Sequence, residues 1–117
     1  MKNLTTLYLQ HNSIHSLHIN LRNVLVDNAE RDRKPFEVDL RNNSITFSCF
    51  NLDFLQWLNK YQANITRFNE MVFIDEDGHL VSADKFLAEI SQFPRTCNKY
   101  TWEIVSVLSA SLPLFVS

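Results

Sequence analysis

Between Pro35 and Leu58 the chain changes its hydrophobic period, and that change limits what it can build. The stretch reads PFEVDLRNNSITFSCFNLDFLQWL. Val38 and Leu40 stand two apart, so both point the same way from one short strand. Asn43 follows where such a strand would run into coil. Its amide offers donors and an acceptor, which suits backbone groups that have no ladder partner. Ile45 returns to the apolar layer. Beyond it Leu52, Leu55 and Leu58, with Phe54, Trp57 and Tyr61, recur at helical spacing. A short strand and an amphipathic helix therefore meet across a few residues of coil.

An earlier stretch carries the strand half of this pattern in fuller form. Leu4, Leu7, Leu9, Asn12, Ile14 and Leu17 fit L-x-x-L-x-L-x-x-N-x-I-x-x-L at every defining position. Asn12 and Asn43 then occupy equivalent places as repeat asparagines. The spacing resembles that of leucine-rich repeats. The resemblance implies an α/β fold: the end of a leucine-rich-repeat solenoid with short parallel strands, closed by a small α+β C-terminal cap and followed by a terminal hydrophobic helix. The implied division is residues 1–46 for the repeats, 47–97 for the cap, and 98–117 for a juxtamembrane and truncated transmembrane segment. The two asparagines stand further apart than one repeat of about 20–29 residues. The excess is expected in Asp27–Lys34, DNAERDRK, read as a polar loop solvated on the outer face. Two repeats cannot cover their own ends, since at least about three are usually needed. Leu4, Leu7 and Leu9 would face nothing on their N-terminal side. The expectation is the C-terminal end of a longer solenoid, with no signal peptide visible at Met1 because the preceding region is missing.

The stretch from Asn43 to Cys97 resembles the cysteine-flanked C-terminal cap of extracellular leucine-rich-repeat proteins, above all Toll-like receptors. The likeness is most specific over Asn43, Cys49, Phe54, Leu55, Trp57 and Leu58. That family's pattern has four cysteines. It implies that Cys49 and Cys97, the second and fourth, form a disulfide. Phe47 stands at the first position and Phe73 is aligned with the third. These two substituted bridge positions are expected to meet ring to ring in place of a crosslink. The alternative reading of the same cysteines is two free thiols in a reduced compartment. Sequons at Asn3, Asn42 and Asn64 favour a glycoprotein in an oxidising compartment. Within the cap, Asn51 is expected to cap a helix over about Leu52–Tyr61. Met71–Ile74 and Leu80–Val81 read as strands around an Asp77-Gly78 turn. Ser82 starts a second helix reaching about Gln92, with Phe86, Leu87 and Ile90 on its apolar side. Pro94 stops it.

After Cys97 the chain turns apolar. Ile104–Ser117 carries no charge, and Tyr100 and Trp102 suit a membrane interface. A full span needs about 20 apolar residues, so this run reads as an interrupted transmembrane helix. The net charge of −2 gives no reason to expect nucleic-acid binding. One glycine and three prolines exclude a low-complexity linker.

Catalytic patterns do not emerge. There is no G-x-S-x-G, Walker loop or H-E-x-x-H. His11, His15 and His18 have helical spacing but fall on strand and coil in the repeat register, so they read as surface residues without a metal. Asp75-Glu76-Asp77-Gly78 resembles part of a calcium loop but lacks the downstream bidentate Glu, and reads as an acidic turn. No cofactor and no enzymatic activity are expected. The resemblance implies the membrane-proximal part of a pattern-recognition receptor ectodomain, acting in innate immune recognition and signalling when intact. It would lie extracellular or lumenal, on a single-pass protein of the cell or endosomal membrane. Implied partners are a protein or pathogen-derived ligand on the missing solenoid, a second receptor chain in a dimer, and the membrane. The alternative is another leucine-rich-repeat cell-surface adhesion or matrix protein.

Overall fold

The computed structural model describes residues 4–97. Strand β1 (Thr6–Tyr8) is followed by helix α1 (Ile19–Asp32) and strand β2 (Glu37–Asp39). The two strands are parallel, with Leu7 opposite Val38. Parallel neighbours need a crossover, and α1 is that crossover. The pairing runs on into coil, where the Leu9 amide donates to the Asp39 carbonyl (2.9 Å) and the His11 amide to the Arg41 carbonyl (3.0 Å). On its other side Val38 meets Ile65 in an isolated parallel bridge.

A second sheet follows. Strand β3 (Thr46–Phe47) pairs parallel with β4 (Val72–Asp75), and β4 pairs antiparallel with β5 (Leu80–Ser82). Helix α2 (Leu52–Lys60) lies between β3 and β4, and α3 (Ala83–Glu89) follows β5. The antiparallel hairpin turns at Gly78, whose positive φ of 83° is open to glycine without steric cost. The Ser82 side chain accepts from the Lys85 amide and starts α3. The helix ends ahead of Pro94. Residues 93–97 turn helical again, with Pro94 in the first turn, where a missing N–H costs nothing.

This architecture corrects the α/β solenoid expectation. The described residues form a small α+β fold with two separate sheets, not a stack of repeats. The physical reason lies in α1. Residues 27–32, the larger part of the Asp27–Lys34 stretch expected as a polar loop, are the end of this helix; along it Leu25 and Asn28 are buried and Leu21, Val26 and Ala29 partly so, which is one face at helical spacing. His18 caps the start by accepting from the Asn20 amide at Nδ1. Arg33, in the left-handed region, closes the end through the Ala29 carbonyl, and Pro35 prevents continuation. With this helix covering them, Leu4, Leu7 and Leu9 pack partly buried against the core instead of lying bare. Residues 4–46 thus build one crossover unit, and the chain then enters the second sheet. The terminal hydrophobic helix expected at 104–117 lies outside the described residues. Among the described ones, no helix is long and apolar enough to cross a membrane.

The core joins the two sheets. Val38, Leu40 and Ile45 from the first half pack with Phe54, Leu55 and Leu58 of α2 and with Phe73, Val81 and Phe86 of the second. Arg22 of α1 ties its helix to α2: its guanidinium donates to the Leu17 carbonyl (2.9 Å) and to Asp53 (2.8 Å), and it lies over the Phe54 ring. Asn28 donates to the Leu4 carbonyl (2.9 Å), fixing α1 to the start of β1.

Candidate functional site

The chemistry of this molecule concentrates where the two halves join. Beyond β2 the backbone turns through Asn42, which has a φ of 57°, and brings Asn43 against the coil after β1. The Asn43 carbonyl oxygen accepts from the Asn12 and Ile14 amides, both at 3.0 Å. Its amide nitrogen donates to the carbonyls of Leu9 (2.8 Å), Leu40 (3.1 Å) and Arg41 (3.3 Å). One side chain thus serves both turns, which only a group with donors and an acceptor can do. Asn12 donates to Leu9 and Gln10 within its own turn. Asn51 has a different task from the helix cap expected of it. Its side chain makes no cap bond at α2 and instead donates to the carbonyls of Thr46 (2.8 Å) and His15 (3.0 Å). A short 3₁₀ turn, Cys49–Asn51, leads into α2 in place of a side-chain cap.

Cys49 and Cys97 are joined by a disulfide that spans a sequence separation of 48. Cys97 is 5% exposed. The bond ties the start of α2 to the last described turn. Phe47, Phe68, Phe73, Phe86 and Phe93 form one ring cluster. Phe47 and Phe73 do meet, edge to face, with centroids 6.5 Å apart. Each has a closer partner: Phe93 lies 4.5 Å from Phe47, and Phe86 stacks on Phe73 at 4.6 Å. The pair is therefore part of a larger apolar cluster. Two of that cluster's members, Phe68 and Phe93, carried no sequence motif that would single them out.

A buried charge went unnoticed in the sequence. Asp39 has a side chain only 3% exposed and accepts from Arg41 at the backbone amide, Nε and Nη2 (2.7 Å for the last). Those bonds, led by the guanidinium, hold its carboxyl below the usual carboxylate range. Arg41 also reaches Glu70 at 3.9 Å. The signal was an Asp at strand position with an Arg two residues on, a pattern too common to stand out.

His11, His15 and His18 do not come together. His15 Nδ1 meets the Ser44 carbonyl, His18 caps α1, and His11 lies beside Asn42. Asp75, Asp77 and His79 do come together, with donor atoms within 4.8 Å of one another. The Asp75 carboxylate there accepts from the Asp77 and His79 amides, which lowers its pKa and shapes the turn. Of the sequons, Asn42 is exposed, whereas Asn64 donates to the Phe36 carbonyl and Thr66 to Glu37. Asn3 lies outside the described residues. No family model, curated protein or solved structure matches this chain.

Proposed function

We propose that this chain is the membrane-proximal part of a Toll-like-receptor-like pattern-recognition receptor and serves as a binding and structural module. In the intact receptor it would act in innate immune recognition and signalling, with these residues extracellular or lumenal and the apolar segment after Cys97 as the membrane attachment. The observation that carries the reading is the junction. A cystine closes residues 49–97 just after the junction, and the two motif asparagines serve one polar network. A disulfide of this span suits an oxidising compartment. The groups around it are engaged in holding backbone and packing rings, which suits a structural role. Of the two described sequons, Asn42 is the one whose exposure suits a glycan.

The transcript beyond both ends tests this reading. An in-frame signalling domain of the Toll/interleukin-1 receptor kind after an apolar span is the expected result. Continuation into further extracellular modules would favour the adhesion or matrix alternative and overturn the receptor reading.

A further inference from the structure

We propose that the recess between the β4–β5 turn, α3 and the disulfide binds a partner peptide segment that carries a basic side chain beside an apolar one. The recess encloses about 290 Å³. This lies near the lower bound of the roughly 300–1,000 Å³ typical of ligand pockets, so it admits one or two side chains. Its floor is apolar: Phe47, Val81 and Phe93, with Cys49 of the disulfide at one side. The rim is acidic. Asp75, Glu76 and Asp77 come from the turn and Glu89 from α3, with Lys85 the one cation among the described lining residues.

The two features together select the occupant. An apolar floor alone would accept any aliphatic or aromatic group. An acidic rim alone would attract any cation. A long basic side chain satisfies both, because its stem lies along apolar surface while its head stays at the rim. A neighbouring aromatic or aliphatic residue would fill the floor. The rim is also available. Glu76, Asp77 and Glu89 are exposed and take no part in an ion pair among the described residues. Asp75 is fixed by the amides of Asp77 (2.9 Å) and His79 (2.8 Å), so the turn that presents the rim is already shaped. This inference is independent of the receptor reading, since it rests on the recess alone.

The test uses the full chain, secreted and oxidised, titrated with Ac-Arg-Trp-Arg-amide and followed by backbone amide NMR. Amide shifts are expected around Glu76–Gly78 and Lys85–Glu89. The neutral peptide Ac-Gln-Trp-Gln-amide should bind about tenfold more weakly. Combining Glu76→Gln, Asp77→Asn and Glu89→Gln should weaken the basic peptide by a similar factor, as expected for three exposed charge contacts of modest individual worth. These side chains are exposed, so the remaining amide spectrum should be unchanged. Equal binding of the neutral peptide, shifts elsewhere on the surface, or no binding at millimolar peptide would each overturn the proposal.

Discussion

The first sheet and the second are held by different physics. Around β1 and β2 the turns are stitched by side-chain amides, and strand β2 carries a buried carboxylate paired with the half-buried Arg41. Around β3, β4 and β5 five phenylalanine rings fill the interior and a disulfide joins Cys49 to Cys97. Hydrogen bonds are directional and of modest net worth, about 0.5–1.5 kcal/mol each. They fix where one turn lies on another. Ring burial has little directionality and stabilises more, about 3–5 kcal/mol for a buried Phe truncated to Ala. The contrast teaches that the first half is specified by geometry and the second by volume.

Ring truncation in the second half should give the largest effects. Phe73 and Phe86 are fully buried. Phe73→Ala and Phe86→Ala should each cost about 3–5 kcal/mol in denaturant unfolding. Phe47→Ala should fall toward the lower end. A double-mutant cycle sharpens the point. Coupling between Phe73 and Phe86, stacked at 4.6 Å, should exceed that between Phe47 and Phe73, 6.5 Å apart and edge to face. Larger coupling for the second pair would restore the idea of an isolated bridge replacement.

Breaking the polar half should cost less. Asn43→Ala removes bonds to Asn12, Ile14, Leu9, Leu40 and Arg41. The site is only partly buried, so water replaces some of them, and the expected loss is about 2–3 kcal/mol. Asn43→Asp keeps the acceptor but, ionised near neutral pH, sets an anionic oxygen against the Leu9, Leu40 and Arg41 carbonyls, so it should cost about as much as Asn43→Ala. A loss as large as that of Phe86→Ala would abolish the contrast between the halves.

The smallest effect is a pH dependence to which Asp39 of the first half contributes beside Asp75 of the second. Asp39 has its carboxyl pKa lowered in the folded state, chiefly by hydrogen bonding from the Arg41 side chain. A depressed folded value means the stabilisation is fully present above the unfolded pKa of about 3.9 and is lost as pH falls through the lower folded value. Melting followed from pH 5 down to pH 2 should show this loss, and Asp39→Asn should flatten it. An unchanged slope in the variant would show that Asp39 does not carry the acid sensitivity.

Local features were legible where a residue type has one narrow use. Ser82 as a cap, Gly78 in the turn, the two hairpin strands and the Leu52 helix follow from side-chain chemistry within a few residues. The Cys49–Cys97 bond was legible through resemblance. Helix α1 was not, because its buried face includes Arg22 and Asn28, which a polarity count assigns to solvent. They lie buried only because Asp53, Leu17 and Leu4 supply partners from other elements.

Neighbours along the chain were enough to set the short strands, the turn residues, the amphipathic α2 and the asparagine positions. Tertiary structure alone decided that β1 and β2 form a single crossover unit instead of a stack, that Asn51 bridges turns instead of capping a helix, and that Phe47 rests on Phe93. Those outcomes depend on which surfaces meet in space, and burial of a polar side chain is favourable only once its distant partner is in place.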